Sequence, residues 1–482
     1  MSKTQIFNPY LPSYEYVPDG EPRVFGERLY VYGSHDRFNG SDFCVNDYVC
    51  WSAPLNDLSD WRYEGVIYRA TQDPKNQKGN MHMCAPDCIR ATDGKFYLYY
   101  QLHVLTCTSV AVADNPAGPF SFYGYVQHPD GTPWGERKGD SFAFDPGVLV
   151  DDDGKAYLYV GFSPVGPFKT VCKMRGNRVE EAVCLELESD MKTVKGGEHP
   201  IVPGHDLAKG TEYEGHGFFE ASSMRKINGK YYYVYSSELS HELCYAVSDR
   251  PNGGFKYGGT LVSIGDIGYE GNTVPNNYTG NTHGGMVELN DQWYIFYHRQ
   301  TNKQKCARQG CAEKLTILPD GSIPQTEITS CGLNGGPLAG KGTYEARIAC
   351  NLSSKQGTFH YEKTHEKEKK KLHPYFTQSG SDREQDGDQY IANMTDGAWA
   401  GFKYFSFSGD ESRLSAKVRG SANGKLKVFT NLKAEAVCEI TVKSFETFID
   451  FEGPLSVPAG TYPLYFVYEG TGALDFSAFT IQ

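Results

Sequence analysis

Along the first two thirds of the chain, short aromatic stretches alternate in period two, and each is entered through a turn. The copies are Gly26-Glu27-Arg28-Leu29-Tyr30-Val31-Tyr32, Asp93-Gly94-Lys95-Phe96-Tyr97-Leu98-Tyr99 and Asp153-Gly154-Lys155-Ala156-Tyr157-Leu158-Tyr159. Asn228-Gly229-Lys230-Tyr231-Tyr232-Tyr233-Val234-Tyr235 and Asn290-Asp291-Gln292-Trp293-Tyr294-Ile295-Phe296-Tyr297 complete the set. Asp-Gly and Asn-Gly pairs supply positive φ at little cost, so these are hairpin turns. Alternation then puts Tyr30 with Tyr32, and Tyr97 with Tyr99, on one face of a strand.

The interval of roughly 60 to 75 residues exceeds that of common propeller repeats and leaves room for four strands and a long loop. A second signature agrees: Val110-Ala111-Val112-Ala113-Asp114 before Pro116 resembles Tyr245-Ala246-Val247-Ser248-Asp249 before Pro251. Unrelated hairpins in a sandwich are the competing arrangement. A five-bladed β-propeller over residues 1–335 is the architecture that buries all the units without long open edges. From about Gly342 the texture changes to short alternating strands such as Lys425-Leu426-Lys427-Val428-Phe429 and Pro463-Leu464-Tyr465-Phe466-Val467-Tyr468. That pattern predicts a β-sandwich over residues 342–482. The fold class is all-β.

Ten to twelve residues ahead of each aromatic strand stands one polar residue: Asp19, Asp87, Asp145, Glu220 and His283. Equivalent positions in blades around one axis form a ring, so four carboxyl groups and an imidazole are expected in one small cavity. Like charges so close cannot all ionise, and at least one carboxyl should be raised in pKa. Asp145 in Phe142-Ala143-Phe144-Asp145-Pro146 and Glu220 in Phe218-Phe219-Glu220-Ala221 are flanked by aromatics. Partial desolvation favours the neutral acid and suits a proton donor. One protonated and one ionised carboxyl are the equipment of glycoside hydrolysis, as nucleophile and acid or as water-activating base and acid. Asp151-Asp152-Asp153 reads as turn chemistry.

The length of 482 residues fits two domains. The aromatic content of 14%, led by 34 Tyr, together with 53 Gly and 25 Pro, suits half-buried strands and tight turns. The net charge of −12 argues against nucleic acid, which needs a basic face. No apolar stretch has the length of a signal peptide core or a membrane span. The 13 Cys are scattered without a CxxC pair, so reduced thiols in a cytoplasmic setting are expected rather than a disulfide or metal framework. The basic run His365-Glu366-Lys367-Glu368-Lys369-Lys370-Lys371 reads as an exposed loop. No phosphate-cradling glycine loop appears, so no nucleotide cofactor is expected. No cofactor is required by this reading, and a homo-oligomer is compatible with it.

Asn8-Pro9-Tyr10-Leu11-Pro12 leading to Pro18-Asp19-Gly20-Glu21-Pro22 and Tyr32-Gly33-Ser34-His35-Asp36 resembles the opening of glycoside hydrolase family 43. Ala85-Pro86-Asp87, Phe144-Asp145-Pro146, Phe219-Glu220-Ala221, His283-Gly284-Gly285 and Tyr297-His298-Arg299 extend the resemblance in order. It closely resembles the members described as β-xylosidase/α-L-arabinofuranosidases. It implies an inverting glycosidase with Asp19 as general base, Glu220 as general acid and Asp145 tuning and orienting Glu220. It also implies Asp87, His283, Arg299 and Phe219 at the substrate, and a structural Ca2+ or water cluster near His283. Relatives often carry Asp-Pro where this chain has Asp19-Gly20-Glu21-Pro22, leaving Glu21 as a rival base. Cys84 stands where many have a sugar-stacking Trp. The expected substrate is an oligosaccharide from which xylose or arabinose is released; an endo-arabinanase, a galactose-releasing relative or a non-catalytic sugar-binding propeller are the alternatives.

Tyr344-Glu345-Ala346, Asp396-Gly397-Ala398-Trp399 and the stretch from Pro458 to Phe479 resemble carbohydrate-binding module family 6, a jelly roll. Phe445 and Phe448 stand where binding members often present Trp, and a terminal Asn is missing near Asp475 and Ser477. This favours a structural or subsite-completing role over autonomous binding.

Overall fold

The computed structural model describes residues 4–358, 360, 371–383 and 388–482; most of the basic run, residues 365–370, lies outside them. Strands dominate among the described residues, and the α-helices Pro167–Met174 and His205–Ala208 are short. The first four sheets are antiparallel four-stranded meanders. They comprise β1 (Glu21–Phe25), β2 (Arg28–Tyr32), β3 (Tyr48–Pro54), β4 (Arg62–Tyr68); then β5 (Met83–Arg90), β6 (Phe96–Leu102), β7 (Thr108–Ala113), β8 (Ser121–Tyr125). The next two are β9 (Gly147–Val150), β10 (Ala156–Gly161), β11 (Glu181–Leu187), β12 (Val194–Pro203), and β13 (Phe218–Ile227), β14 (Lys230–Ser237), β15 (Glu242–Ser248), β16 (Lys256–Ser263). A three-stranded sheet follows, of β17 (Met286–Leu289), β18 (Gln292–Thr301) and β19 (Gln304–Leu315).

Each of the five sequence repeats is the hairpin between the first and second strands of a sheet. The turns have the positive φ that their residues favour: +62° at Gly26, +85° at Gly94, +83° at Gly154, +80° at Gly229, and 51° and 63° at Asn290 and Asp291. The first strands meet in a cycle: β1 touches β5, β5 touches β9, β9 touches β13, β13 touches β17, and β17 returns to β1. A parallel bridge between Gly20 and Gly284 joins first to last.

The aromatic strands pack between neighbouring sheets. Tyr159 of β10 and Tyr233 of β14, both fully buried, lie 5.9 Å apart between ring centroids. Tyr32 and Tyr48 share a cluster with Leu98 and Tyr100 of the next sheet. Fully burying one large apolar side chain is worth about 1.5–3 kcal/mol, so the repeated tyrosines fasten sheet to sheet.

The C-terminal part forms two six-stranded sheets. One contains Trp399–Phe407 beside Gly460–Thr471, the other Leu474–Ile481 beside Arg413–Gly420. They share one core, in which the rings of Phe402 and Phe466 each lie 4.9 Å from that of Phe479.

Candidate active site

A cavity of about 680 Å³ opens where the first strands converge, lined by Asp19, Asp145 and Glu220 together with His283 and Arg308. The three carboxyl groups come from three different sheets and from different backbone devices. Asp19, just before β1, has φ 56°, and Asp145, just before β9, has φ 47°. Asp tolerates the left-handed region better than most residues, but such positions are sparsely populated and cluster at functional sites. Glu220 lies within β13, where register shifts on either side of it and a φ of 72° at Ala221 mark a bulge. A bulge re-aims a side chain, and here it leaves Glu220 and Phe219 on the cavity wall.

Asp19 is held ionised. Its Oδ1 accepts from Arg308 Nη1 at 2.8 Å, and Arg308 forks onto Asp36 through Nε at 2.8 Å and Nη2 at 3.0 Å. Burial would raise the Asp19 carboxyl, but the Arg308 guanidinium outweighs it and holds the group well below the usual carboxylate range. His298 Nε2 lies 2.9 Å from the Asn281 carbonyl, so it donates there, and Nδ1 accepts the Asp19 N–H at 3.2 Å. That tautomer fixes the backbone of the carboxylate.

Asp145 is the opposite case. Burial, then the nearby Glu220 and Asp19, push its carboxyl well above the ordinary value. It accepts the Ala221 N–H at 3.2 Å, which ties it to the residue after Glu220, and it lies 3.5 Å from His283 Nδ1. His283 is pushed down to about 4, by burial above all, and is a neutral imidazole at neutral pH. One ionised carboxylate therefore faces a carboxyl pair whose charges oppose each other.

Part of the wall is aromatic. Phe142, Phe144, Phe162 and Phe219 form a continuous run, with centroids 4.9 Å apart for Phe144–Phe162 and 5.6 Å for Phe162–Phe219. Cys84 and Phe43 line the cavity too, so its apolar surface comes mainly from phenylalanines.

Two residues expected at the substrate are elsewhere. Asp87 is fully buried and does not line the cavity; Arg23 takes it through Nε at 2.9 Å and Nη2 at 2.5 Å, and the N–H groups of Cys88 and Val148 complete it. Arg299 points into the C-terminal part, donating to the carbonyls of Ala349 at 2.9 Å and Arg347 at 2.7 Å and lying 3.8 Å over the Phe376 ring. Its neighbour His298 faces Asp19, because successive strand residues point to opposite faces. Glu21, the rival base, is also away from the cavity lining, bound to Arg225 at 2.8 Å.

Arg308 was missed in the sequence. The available signal was a lone Arg in the small-residue strand Cys306-Ala307-Arg308-Gln309-Gly310-Cys311, since a buried Arg needs an acidic partner.

Of the carboxylates around the convergence, Asp19 is held by Arg308, Asp87 by Arg23 and Glu21 by Arg225, while Asp145 stands 3.5 Å from His283 Nδ1.

The sequence profile of the family described as Glycosyl hydrolases family 43 matches residues 17–323. A Thermoclostridium stercorarium protein named xylosidase/arabinosidase is 48% identical, covering 99% of both chains. Among solved structures, a glycoside hydrolase family 43 β-xylosidase/α-arabinofuranosidase from a compost microbial metagenome, in complex with xylotriose, is 26% identical with TM-score 0.52. That match covers 67% of this chain and 98% of the other. A Bacillus subtilis arabinoxylan arabinofuranohydrolase, in complex with cellotetraose, shares the fold over 98% of this chain and 97% of its own, with TM-score 0.53 and 23% identity.

Proposed function

Since the chain belongs to glycosyl hydrolases family 43, we propose that it releases terminal xylose or arabinofuranose from xylo- or arabino-oligosaccharides, with inversion at the anomeric carbon. The observation that carries this reading is one cavity in which Asp19 is ionised against Arg308 while Asp145 and Glu220 oppose each other's charge. An ionised Asp19 is equipped to take a proton from water. Because the charges of Asp145 and Glu220 oppose each other, the pair keeps a proton, which Glu220 delivers to the leaving oxygen. Asp145, tied to the Ala221 N–H, orients that acid. A neutral His283 adds no cation to compete with Arg308 for Asp19.

The cyclic contact of five first strands supports a five-bladed propeller, and the shared core of the two C-terminal sheets supports a sandwich like carbohydrate-binding module family 6. The change of sheet type between residues 335 and 342 supports two domains there. A cavity of this volume accommodates a short oligosaccharide. Thirteen free cysteines support a reducing, cytoplasmic setting.

Turnover by Glu220→Gln tests the assignment. On oligosaccharides with poor leaving groups kcat should fall by about 10²–10⁴, with much less loss on aryl glycosides whose leaving group needs no proton. Equal losses on both would remove Glu220 as the acid, and NMR of the first-formed sugar showing retained configuration would remove the water-activating base.

A further inference from the structure

Away from the cavity, His216, Glu242 and Cys244 bring an imidazole nitrogen, a carboxylate oxygen and a thiol sulfur within 4.8 Å of one another. Glu242 and Cys244 are two apart on β15 and so share a face, while His216 reaches them from the segment just before β13. His216 Nδ1 lies 2.7 Å from Glu242 Oε1; Cys244 Sγ lies 3.4 Å from that oxygen and 3.9 Å from that nitrogen.

We propose that His216 Nδ1, Glu242 Oε1 and Cys244 Sγ form a binding site for a borderline-soft divalent cation of the zinc class. A tetrahedral zinc with bonds of about 2.0–2.3 Å holds its N, O and S ligands roughly 3.3–3.6 Å apart. The triangle here brackets that range; widening the His216–Glu242 contact by about 0.6 Å and drawing Cys244 Sγ about 0.3 Å nearer to His216 Nδ1 completes it.

The surroundings are those of a supported site rather than of a packed cysteine. Buried structural cysteines sit among apolar groups, whereas this sulfur also has the hydroxyls of Thr260 at 3.7 Å and Tyr257 at 3.8 Å. Glu242 is oriented by Thr260 Oγ1 at 3.0 Å and Ser237 Oγ at 2.7 Å, and the His216 ring stacks on Tyr257 at 5.2 Å. Outer partners of this kind fix ligand orientation. The His216 side chain is 34% exposed, which leaves a path from solvent, while Glu242 at 4% is sheltered.

Binding is a ligand exchange without electron transfer. The Cys244 S–H bond breaks and its proton goes to solvent, and any proton on His216 Nδ1 leaves for Nε2 or solvent. Metal–S, metal–N and metal–O bonds form, and thiolate plus carboxylate neutralise the dication. Water or a neighbouring hydroxyl takes the fourth position. His216 stands four residues ahead of Glu220, so occupancy anchors the chain leading to that residue.

The test is titration of the chelator-treated full-length protein with Co2+, read by the near-ultraviolet thiolate-to-cobalt charge-transfer band. One equivalent should develop the band, Zn2+ should abolish it, Cys244→Ser should lack it, and His216→Gln should weaken binding at least tenfold. Melting curves without metal check that both variants fold; if Cys244→Ser does not, the half-exposed His216→Gln carries the same reading. Absence of any band, its persistence in these variants, or its loss in Cys84→Ser instead would overturn the site.

Discussion

Arg308 holds two carboxylates at once, forking onto Asp36 and reaching Asp19 with its remaining Nη. Asp36 is fully buried, so it serves as the counter-charge that lets a guanidinium sit 2% exposed beside a reacting group. The sign of the pH effect follows. A depressed folded pKa means that the ionised Asp19 contributes stability above the ordinary Asp value, lost as pH falls toward the folded one. In Arg308→Gln the cation is gone while burial, which raises Asp19, remains. The acidic limb of kcat/KM should therefore move up by about one pH unit or more, and stability should fall by about 3–5 kcal/mol because Asp36 is left unpaired. A pH–rate profile with an unmoved acidic limb would detach Arg308 from the base.

At the scale of the strand, the two faces and the bulges decide what reaches the cavity. Gly147 on β9 lies two residues after Asp145, and a Cβ there would stand 2.5 Å from the carbonyl oxygen of Ser222, two residues after Glu220. Gly147→Ala thus drives a wedge between the strands that bring the carboxyl pair together. Urea unfolding should show a loss of about 1–3 kcal/mol, and kcat should fall well beyond what the unfolded fraction explains; normal kcat in the folded fraction would show that the pair tolerates the displacement. This dependence on register also explains what was legible in the chain. The turns and aromatic strands repeat locally, so their positions and their phase relative to Asp19, Asp145 and Glu220 could be read from spacing. The use made of each polar residue could not. Asp87 has the same phase but meets Arg23 from another strand, and the choice between His298 and Arg299 turns on one step of alternation. Arg308 pairs with residues far away in sequence, so no local pattern marks it.

At the scale of the whole molecule, the C-terminal part is a structural neighbour of the catalytic region before it is anything else. Arg299 satisfies its guanidinium on the Ala349 and Arg347 carbonyls, and Lys403 reaches back to Asp266 at 3.3 Å and Glu327 at 2.7 Å. Arg383 donates to Glu15 at 2.7 Å, and Asp382 accepts the Phe38 N–H at 2.8 Å. Phe38 belongs to the segment that continues to Phe43 and Cys44 on the cavity wall. Residues 1–335 alone would therefore lose the partners of Arg299 and Asp266 and would uncover Tyr278, which packs in the C-terminal core. The shortened chain should be insoluble or lack a cooperative melt, even though every cavity carboxylate is present in it. Recovery of soluble residues 1–335 with the full-length kcat/KM would show that the C-terminal part is dispensable for the site. In the full chain, Asp382→Ala should raise KM several-fold with kcat nearly unchanged, because it loosens the segment carrying Phe43 without touching Asp19, Asp145 or Glu220.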